Sequence, residues 1–481
     1  MHTSPWILGA LSSALLAACT TVPDYHTPTP LQDGQALPAR YAHAPTASAQ
    51  EPETAQQESL RQWWSRFQDP VLDQIIDRAL AQNLDLQAAL ARVQQARAVA
   101  GLADAALLPS GTVSAQAARE RQSLRSPLGE IASHQPGYQR NQTLYDLGAG
   151  ASWEADLFGG LHRQRDADQA SAEAAAADGL GVRVAIAAEA ADAYFSLRGA
   201  QARLAITEEE IATDTRLSEL VSLRLQDGLD NRRELALAQA QLASARAALT
   251  PLRTLIELQR NRLDVLMGQV PGSSATALTG DATTIAAAPA LSTLPAPAAL
   301  LRRRPDVMAA ERRLAASHAR IGVAMAEYYP KLSLSGLLGF ESLSSLTLSG
   351  QTFQPLAVAG LRWRLFDFGR VDAEVAQARG ANAEALARFR QAMLKATEDV
   401  ENALVTEIQL DDRLQALQAR RAATADALAA AREAFDGGAT SQVEVLQQQR
   451  QLLDARDQLA LAQADAARAS VGTFRALGGG W

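Results

Sequence analysis

The run from Asp166 to Asp227 constrains the fold more than any other part of the sequence. It contains no proline and is rich in Ala, Leu, Arg, Glu and Gln, which lose least free energy on entering a helix. A continuous helix over this run would be roughly 90 Å long, whereas an average globular helix of ~12 residues is about 18 Å long. Such a helix needs packing partners along its whole length, so the run excludes an architecture built around one small core.

A second helical run, which begins at Arg232 after the turn signal at residues 226–231, provides such a partner. Its apolar residues follow a seven-residue repeat, with alanine or leucine three residues further on: Leu235, Leu242, Leu249, Ile256 and Leu263, with Ala238, Ala245, Leu252 and Leu266. This pattern is typical of helices that coil around one another with a left-handed twist. Pro251 interrupts the run and predicts a kink or a junction between stacked helices.

Composition and motifs exclude several classes of function. The net charge of −8 provides no basic surface for nucleic acid. The six histidines are scattered without the spacing of a metal site, and neither a nucleophile elbow nor a dinucleotide-binding loop occurs. The sequence therefore predicts a protein that is not an enzyme and that has no metal or cofactor.

The N-terminus predicts export. Within residues 1–18, Trp6–Ala18 is a short apolar run that ends in small residues before the one cysteine of the chain, Cys19. This resembles a lipoprotein signal, in which cleavage before the cysteine is followed by its acylation with palmitate; the alternative is an ordinary secretory signal peptide. The run departs from the usual pattern because it has no Lys or Arg before its apolar part. No later run approaches the ~18 apolar residues of a transmembrane helix, so a membrane crossing would use strands.

The second half of the chain repeats the first. The sequence numbers of equivalent residues differ by 210 downstream of Gly150 and by 221 upstream of Ala115. The first copy therefore has eleven extra residues, which lie in a loop. Examples are Trp153 with Trp363, Gly228 with Gly438, and Pro109 with Pro330. Each copy begins with a helix; in the first, Asp69 is the predicted N-cap and the helix runs to about Leu107. The predicted organisation is a signal peptide (1–18), an extended lipid-anchored segment (19–60), a first repeat (61–280), a linker (281–300) and a second repeat (301–481).

Alternating apolar and polar residues predict two strands in each copy, and so four per chain. The predicted strands are Gly111–Ala117, Leu144–Ala155, Leu332–Leu337 and Leu361–Leu365. Four strands cannot close a barrel, and an open sheet edge cannot be accommodated in lipid. Three chains would supply twelve strands, an even number within the range of membrane barrels.

Several motifs spread over nearly the whole chain carry a family resemblance. They are Trp63-Trp64 with Phe67 and Asp69-Pro70, the segments 153–159 and 301–307, Phe366-Asp367-Phe368-Gly369-Arg370, and the C-terminal segment 476–481. Together they resemble the TolC-like outer-membrane channel family, in the NodT/OprM-type lipoprotein branch that serves tripartite drug-efflux pumps.

The resemblance implies a mainly α fold with a membrane β-barrel. Three chains would form a twelve-stranded barrel in the Gram-negative outer membrane, continuing into a twelve-helix α-barrel in the periplasm. The implied function is a passive exit duct for small hydrophobic or amphipathic compounds, including antibiotics. Its implied partners are two further copies, a periplasmic membrane-fusion adaptor, an inner-membrane RND pump and outer-membrane lipid, with no nucleic acid. Alternatives are a duct for protein or metal-ion export and, in another class, a periplasmic coiled-coil adaptor or scaffold.

The resemblance also points to the two helical turns as functional sites. It implies adaptor-docking tips at Asp227, Gly228, Leu229, Asp436, Gly437, Gly438 and Ala439. The alternative is that the glycines only end the helices. In related ducts an aromatic hydroxyl before the tip and a carboxylate beyond it hold the closed state; here Phe435 and Gln447 stand at those positions. Asp436 and Glu444 are nearby carboxylates, and we expect a weaker closure than in the relatives.

Two further sets of residues have competing interpretations. Trp153 and Trp363 are predicted to lie either in an aromatic belt at the lipid interface or in ordinary packing where strand meets helix. The run from Arg302 to Arg304, which precedes Pro305, is predicted to form a structural corner rather than a patch for anionic lipid or nucleic acid.

Overall fold

The structure of the chain is a computed structural model that describes residues 24–28, 38–44, 60–273, 285–289, 296–300, 303–343 and 345–481. The predicted signal peptide and Cys19 lie outside these residues, so the lipid anchor stays a prediction.

Helices dominate the described chain, and one antiparallel sheet accompanies them. After a 3-10 helix at Trp63–Phe67, the elements of the first half are α1 (Pro70–Gln82), α2 (Leu84–Ala106), β1 (Ser110–Arg121), α3 (Pro127–Ser133), β2 (Asn141–Ala155), α4 (Gly160–Gln226) and α5 (Arg232–Leu266). They are followed by α6 (Pro297–Leu300), α7 (Pro305–Ala326), β3 (Lys331–Ser342), β4 (Phe353–Arg362), α8 (Arg370–Asp436) and α9 (Gln442–Ala476). None of the described helices is long and apolar enough to cross a membrane.

The long helix predicted from Asp166 is confirmed, and it begins earlier, at Gly160. Its counterpart α8 has the same length, 67 residues, and α5 and α9 both have 35. All four helix boundaries match at the predicted offset of 210 residues. The extra residues of the first copy fall in the loop between β1 and β2, which contains α3. The internal repeat is therefore a repeat of structure as well as of sequence.

The prediction of one helix from Asp69 to about Leu107 is wrong, because the helix breaks at Asn83. The Asp69 carboxylate does cap α1, accepting from the amides of Val71 at 2.9 Å and Leu72 at 3.3 Å. The Asn83 side chain, only 3% exposed, accepts from the Leu86 amide and donates to the Leu266 carbonyl, both at 3.0 Å. Asn83 thus caps α2 and ties it to the end of α5.

Of the two predictions for Pro251, the junction is wrong and the kink stays a prediction. Helix α5 continues through this residue from Arg232 to Leu266. Buried heptad residues on both sides, Ala245 and Leu252, hold the two halves of the helix against their neighbours. Tertiary packing therefore offsets the hydrogen bond that proline cannot donate.

The sheet has the order β1-β2-β3-β4, with antiparallel neighbours, so the prediction of four strands per chain is confirmed. Strand β4 ends at Arg362, which pairs with Lys331, the first residue of β3. The predicted strand Leu361–Leu365 is therefore wrong in its second half. Residues 363–365 extend beyond the start of β3, so the described chain gives them no strand to pair with.

The described residues divide into two compact units. The first draws on the described residues within 24–28, 94–174 and 311–388, and the second on those within 38–93, 175–310 and 389–481. The first unit contains the sheet. The second contains an aromatic core in which Trp63, 1% exposed, stacks on Phe474 with ring centroids 5.2 Å apart. The chain end is fastened into this core, since the Gly480 amide donates to the Leu60 carbonyl at 2.9 Å.

Candidate functional site

The two predicted tips have the same backbone geometry. We call residues 227–231 tip 1 and residues 437–441 tip 2. Gly228 and Gly438 have φ of 72° and 73°, in the left-handed region. One residue later, the Leu229 amide donates to the Arg224 carbonyl and the Ala439 amide to the Ala434 carbonyl, both at 2.8 Å. These are Schellman ends, so the prediction that the glycines stop the two helices is confirmed.

The tips differ in their side chains. In tip 1, Leu229 is 67% exposed, and Asp230 pairs with Arg224 at 3.0 Å. Tip 2 has Gly437 and Ala439 at the positions of Asp227 and Leu229, and the exposed Asp436, also predicted as a docking residue, directly precedes it. Tip 1 therefore presents an apolar and acidic surface, whereas tip 2 presents exposed backbone that a partner can approach closely.

Replacing Gly438 by alanine is expected to lower the free energy of unfolding by about 1 kcal/mol, because a Cβ disfavours the left-handed conformation. The added Cβ would meet no atom within 4 Å, so this loss would measure backbone strain alone. Gly472, within α9, is the matched control: its Cβ also has open space, and alanine there favours the helix. Thermal unfolding of both purified variants checks this, and equal midpoints would contradict it.

A small apolar cluster lies just behind the tips and joins α4, α5 and α9. Its buried members are Leu217, Val221, Ala238 and Leu446, with Leu220, Leu235 and Val443 packed against them. Beside the cluster, the Nε atom of Arg450 lies 3.0 Å from Oδ1 of Asp214, whose side chain is 1% exposed. The Gln449 amide nitrogen donates to the Thr213 hydroxyl at 3.2 Å. These contacts fasten the first turns of α9 to α4.

Further ion pairs continue this connection along the same two helices. They are Arg456 with Glu209 at 2.6 Å, Arg203 with Asp457 at 2.8 Å and Arg468 with Asp192 at 2.8 Å. Each is partly exposed and stabilises the fold by little on its own, but together they set the register of α4 against α9. Sequence reasoning missed the buried pair. The repeat held a signal for it, since Asp214 and Arg450 correspond to the uncharged Thr424 and Ala240.

The Asp214 carboxyl has a raised pKa, because burial disfavours its charged form more than Arg450 favours it. Burial and the neighbouring Asp214 also raise the pKa of Glu210. A carboxyl whose pKa is higher in the folded than in the unfolded protein stabilises the fold when the pH lies below the pKa that it has in the unfolded protein. That contribution is lost as the pH rises through the folded pKa.

We therefore expect the contribution of Asp214 and Glu210 to thermal stability to increase as the pH falls from neutral toward the ordinary carboxyl range. The Asp214→Asn variant should show a shallower increase, because it has lost one titrating group. Asp436→Asn, which alters an exposed carboxyl directly before tip 2, is the control. Unfolding midpoints measured at several pH values check this, and parallel curves for wild type and Asp214→Asn would contradict it.

The candidate gate residues lie on both sides of tip 2. Phe435 is 40% exposed, and Asp436 and Gln447 are exposed as well. Glu444 is held within its own helix: its amide donates to the Ser441 hydroxyl at 3.3 Å, and its carboxylate accepts from Gln448 at 2.8 Å. The side chains of Phe435, Asp436 and Gln447 are thus open to a neighbouring molecule, and Glu444 is half-buried.

Trp153 lies near the end of β2 and Trp363 directly after β4, in each case before the long helix that follows. The Trp153 indole donates to the Leu107 carbonyl at 2.9 Å, and the Trp363 indole donates to the Tyr328 carbonyl at 3.0 Å. The two acceptors are themselves equivalent in the repeat. Both rings remain partly exposed, at 38% and 51%. Both indoles therefore make contacts where strand and helix meet. Their place in an aromatic belt at the lipid interface stays a prediction.

Known proteins resemble the chain over most of its length. The family profile described as "Outer membrane efflux protein" matches residues 75–269 and 296–479. The pyoverdine export outer membrane protein OpmQ of Pseudomonas putida is 33% identical over 473 residues, covering 98% of this chain and 96% of that protein. The toluene efflux pump outer membrane protein TtgC of Pseudomonas putida is 29% identical, covering 98% and 95%. The solved outer-membrane channel OprN superposes with a TM-score of 0.80 at 34% identity, covering 96% of this chain and all of that one.

These likenesses confirm the fold class and the location inferred from the motifs. The chain has the TolC-like fold, mostly helical with a small four-stranded sheet, and its place is the outer membrane of a Gram-negative bacterium. It is a channel protein and not an enzyme. The chain belongs to the outer membrane efflux protein family.

Proposed function

We propose that three copies of the chain form a passive duct in the outer membrane, the exit of a tripartite efflux system. An RND-type inner-membrane pump supplies the energy, and a periplasmic adaptor joins pump to duct. The observation that carries this proposal is the sheet, which has two open edges in a chain that matches the efflux family. Open edges are not stable in lipid, and twelve strands from three chains remove them. A coiled-coil scaffold would need no such sheet.

The adaptor docks at tips 1 and 2 in this proposal. Support comes from the exposed backbone around Gly228 and Gly438 and from the exposed Leu229, an apolar contact that a partner helix can cover. Because the tips differ in charge and side-chain size, an adaptor can contact the two with different affinity.

The membrane is contacted by other residues in this proposal. Cys19 carries the lipid, and Trp153 and Trp363 contribute their exposed ring faces to the membrane interface.

The cargo is a small hydrophobic or amphipathic compound. Support comes from TtgC of Pseudomonas putida, whose name refers to toluene efflux. Since the OpmQ protein of Pseudomonas putida is 33% identical to this chain, export of a secreted metabolite of the pyoverdine kind is the second candidate function.

The closed state of the duct is held weakly, because Phe435 has no hydroxyl and Gln447 has no charge. Purified protein in a planar bilayer should therefore open spontaneously. The double variant Phe435→Tyr with Gln447→Asp restores a hydroxyl and a carboxylate, and we expect it to lower the open fraction severalfold. Each single variant is a control. A wild-type channel that stays shut at rest would contradict the weak gate.

Deleting the gene tests the function. We expect the deletion strain to become severalfold more sensitive to solvents, dyes and amphipathic antibiotics, and expression of the chain from a plasmid to restore resistance. Pyoverdine-like metabolites measured in the culture medium separate the second candidate from the first. Unchanged sensitivity and unchanged secretion, in a strain with no other duct of this family, would contradict both.

A further inference from the structure

The two faces of the sheet differ in chemistry. Paired residues of an antiparallel sheet lie on the same face, and successive residues of a strand lie on opposite faces, so the register assigns each strand residue to a face. We call the face that contains Trp153 the apolar face. From Trp153 to Leu147, and across the residues paired with them, it carries only alanine, glycine, valine, leucine, proline and aromatic residues. Such a face suits contact with hydrocarbon.

Aromatic residues lie toward both ends of the apolar face. Trp153 lies near the end of the sheet that leads into α4, and Tyr145 lies toward the end that the two hairpin loops form. Near the loop end, Phe340 and Phe353 pair across β3 and β4 with ring centroids 5.5 Å apart. Trp153 and Tyr145 are about 27 Å apart along the strand, comparable to the apolar band of about 25 Å that membrane barrels present to lipid. The loop end of the sheet therefore reaches a second membrane interface.

Two arginines lie on the apolar face just beyond this interface. Arg119 pairs with Thr143 and Arg121 with Asn141, at the next two positions of the face after Tyr145. They are the only charged residues that the described strands place on this face. Both side chains are exposed, and neither guanidinium forms an ion pair with any residue that the structure describes. The apolar face therefore ends in two positive charges, at the level where hydrocarbon gives way to lipid headgroups.

The carboxylates of the strands at this end lie on the opposite face. They are Glu120, Asp146 and Glu341, which alternate with residues of the apolar face in the same register. A further arginine, Arg140, is engaged within the hairpin, because its Nε atom donates to the Gln122 carbonyl at 2.9 Å. An anion that approaches from the lipid side therefore meets Arg119 and Arg121 without meeting a carboxylate of the strands.

The strand position itself does not require arginine. Strand β3 has the same length as β1, and their bounds differ by 221, the offset of the repeat. At the positions of Arg119 and Arg121 it has Phe340 and Ser342. The arginine pair is thus a feature of the first copy alone, and each chain offers one such pair.

We propose that Arg119 and Arg121 bind the phosphate groups of a lipid headgroup in the outer leaflet of the outer membrane. Neighbouring residues on one face of a strand are about 7 Å apart, so the two side chains can contact two phosphate groups of one headgroup. A guanidinium group matches phosphate with two parallel hydrogen bonds, and the acyl chains of the lipid lie against the apolar face. This inference rests on the proposed duct, because it places the loop end of the sheet in the outer leaflet.

Lipid binding to the purified full-length chain tests the arginine pair. The probes are lipid A with two phosphate groups and lipid A with one, which have the same acyl chains. Each is titrated in detergent, and native mass spectrometry measures the lipid bound to the intact protein. The test variant is Arg119→Gln with Arg121→Gln. The matched control is Lys331→Gln with Arg362→Gln, which removes two positive charges from a pair at the other end of the sheet, on the opposite face.

We expect the wild type and the control to bind the doubly phosphorylated lipid severalfold more tightly than the singly phosphorylated one, and the test variant to lose most of this preference. A wild type without the preference, or a test variant that retains it, would overturn the inference. Millimolar inorganic phosphate should leave the lipid bound, because free phosphate makes no contact with the apolar face. Displacement would show a site for free anions instead.

The duct can fail independently of the lipid site. If the wild-type chain shows the lipid preference through these arginines but restores no resistance to the deletion strain, the duct is wrong and the lipid site stands. If the wild type restores resistance but binds both lipids equally, the duct stands and the lipid site is wrong.

Discussion

Replacing Gly199 by alanine is expected to lower the free energy of unfolding of the second unit by about 1–3 kcal/mol, the usual cost of overpacking a core. Gly199 lies in α4 where it crosses α9, and a Cβ there would lie 2.5 Å from the Cβ of Ala464. No side-chain rotation relieves such a contact, because both atoms are attached directly to helix backbone. The two helices must move apart, which weakens the contacts on either side of the crossing.

A second substitution tests whether the contact between the two Cβ atoms causes the loss of stability. In the double variant Gly199→Ala with Ala464→Gly, the methyl group moves from one helix to the other and the total volume is unchanged. We expect most of the lost thermal stability to return, because the helix propensity that alanine adds at position 199 offsets the loss of about 1 kcal/mol that glycine causes at position 464. The Ala464→Gly variant alone is the control. Additive losses in the double variant would show that the two helices do not meet at these residues.

Replacing Arg304 by methionine is expected to destabilise the second unit by about 2–3 kcal/mol, because hydrogen bonds that involve a charged group contribute about 1.5–3 kcal/mol. The guanidinium is 12% exposed and lies 2.8 Å from carboxylate oxygens of both Asp306 and Asp399. It also donates to the carbonyls of Ala476 at 3.3 Å and Ala396 at 3.4 Å. One side chain thus joins the start of α7 to α8 and to the end of α9.

Two controls separate this role from simple charge. Arg304→Lys keeps the charge but cannot span four acceptors with one planar group, so we expect it to lose much of the same stability. Arg388→Ala removes an exposed pair with Glu384 on one helix, and we expect a loss of at most about 0.5 kcal/mol. Unfolding midpoints of the three variants check this order. A full rescue by lysine would contradict the bridging role.

The contacts of Arg304 also test the prediction made for the run from Arg302 to Arg304. A structural corner was predicted there, and the contacts of Arg304 with three helices confirm it for this residue. Arg302 lies outside the described residues. The conclusion from sequence was sound here because an arginine next to Pro305-Asp306 at a helix start has acceptors close by in the chain.

Features that depend on local sequence were predictable. The helix-forming residues from Asp166 to Asp227 predict that α4 is long, and the turn residues that follow them predict the Schellman end at Gly228. The Asp69 cap lies within the residues it caps. The repeat extended these local conclusions to the second half, where α8 and α9 end at the expected residues.

Features that depend on distant partners were not predictable in the same way. The break at Asn83 requires the Leu266 carbonyl, 183 residues away, and the tie between α4 and α9 requires Asp214 to meet Arg450. The end of β4 at Arg362 depends on where β3 begins. The local pattern of apolar residues was consistent with a longer strand, because that pattern does not show where the partner strand begins.

The export of a dye from living cells tests the central claim most directly. Cells that lack the chain and its relatives are loaded with a fluorescent amphipathic dye, re-energised, and followed as the dye leaves. The account predicts slow efflux without the chain, severalfold faster efflux when it is expressed, and loss of that gain when the proton gradient is collapsed. Equal efflux rates with and without the chain, in cells whose outer membrane contains it as a folded protein, would contradict an exit duct.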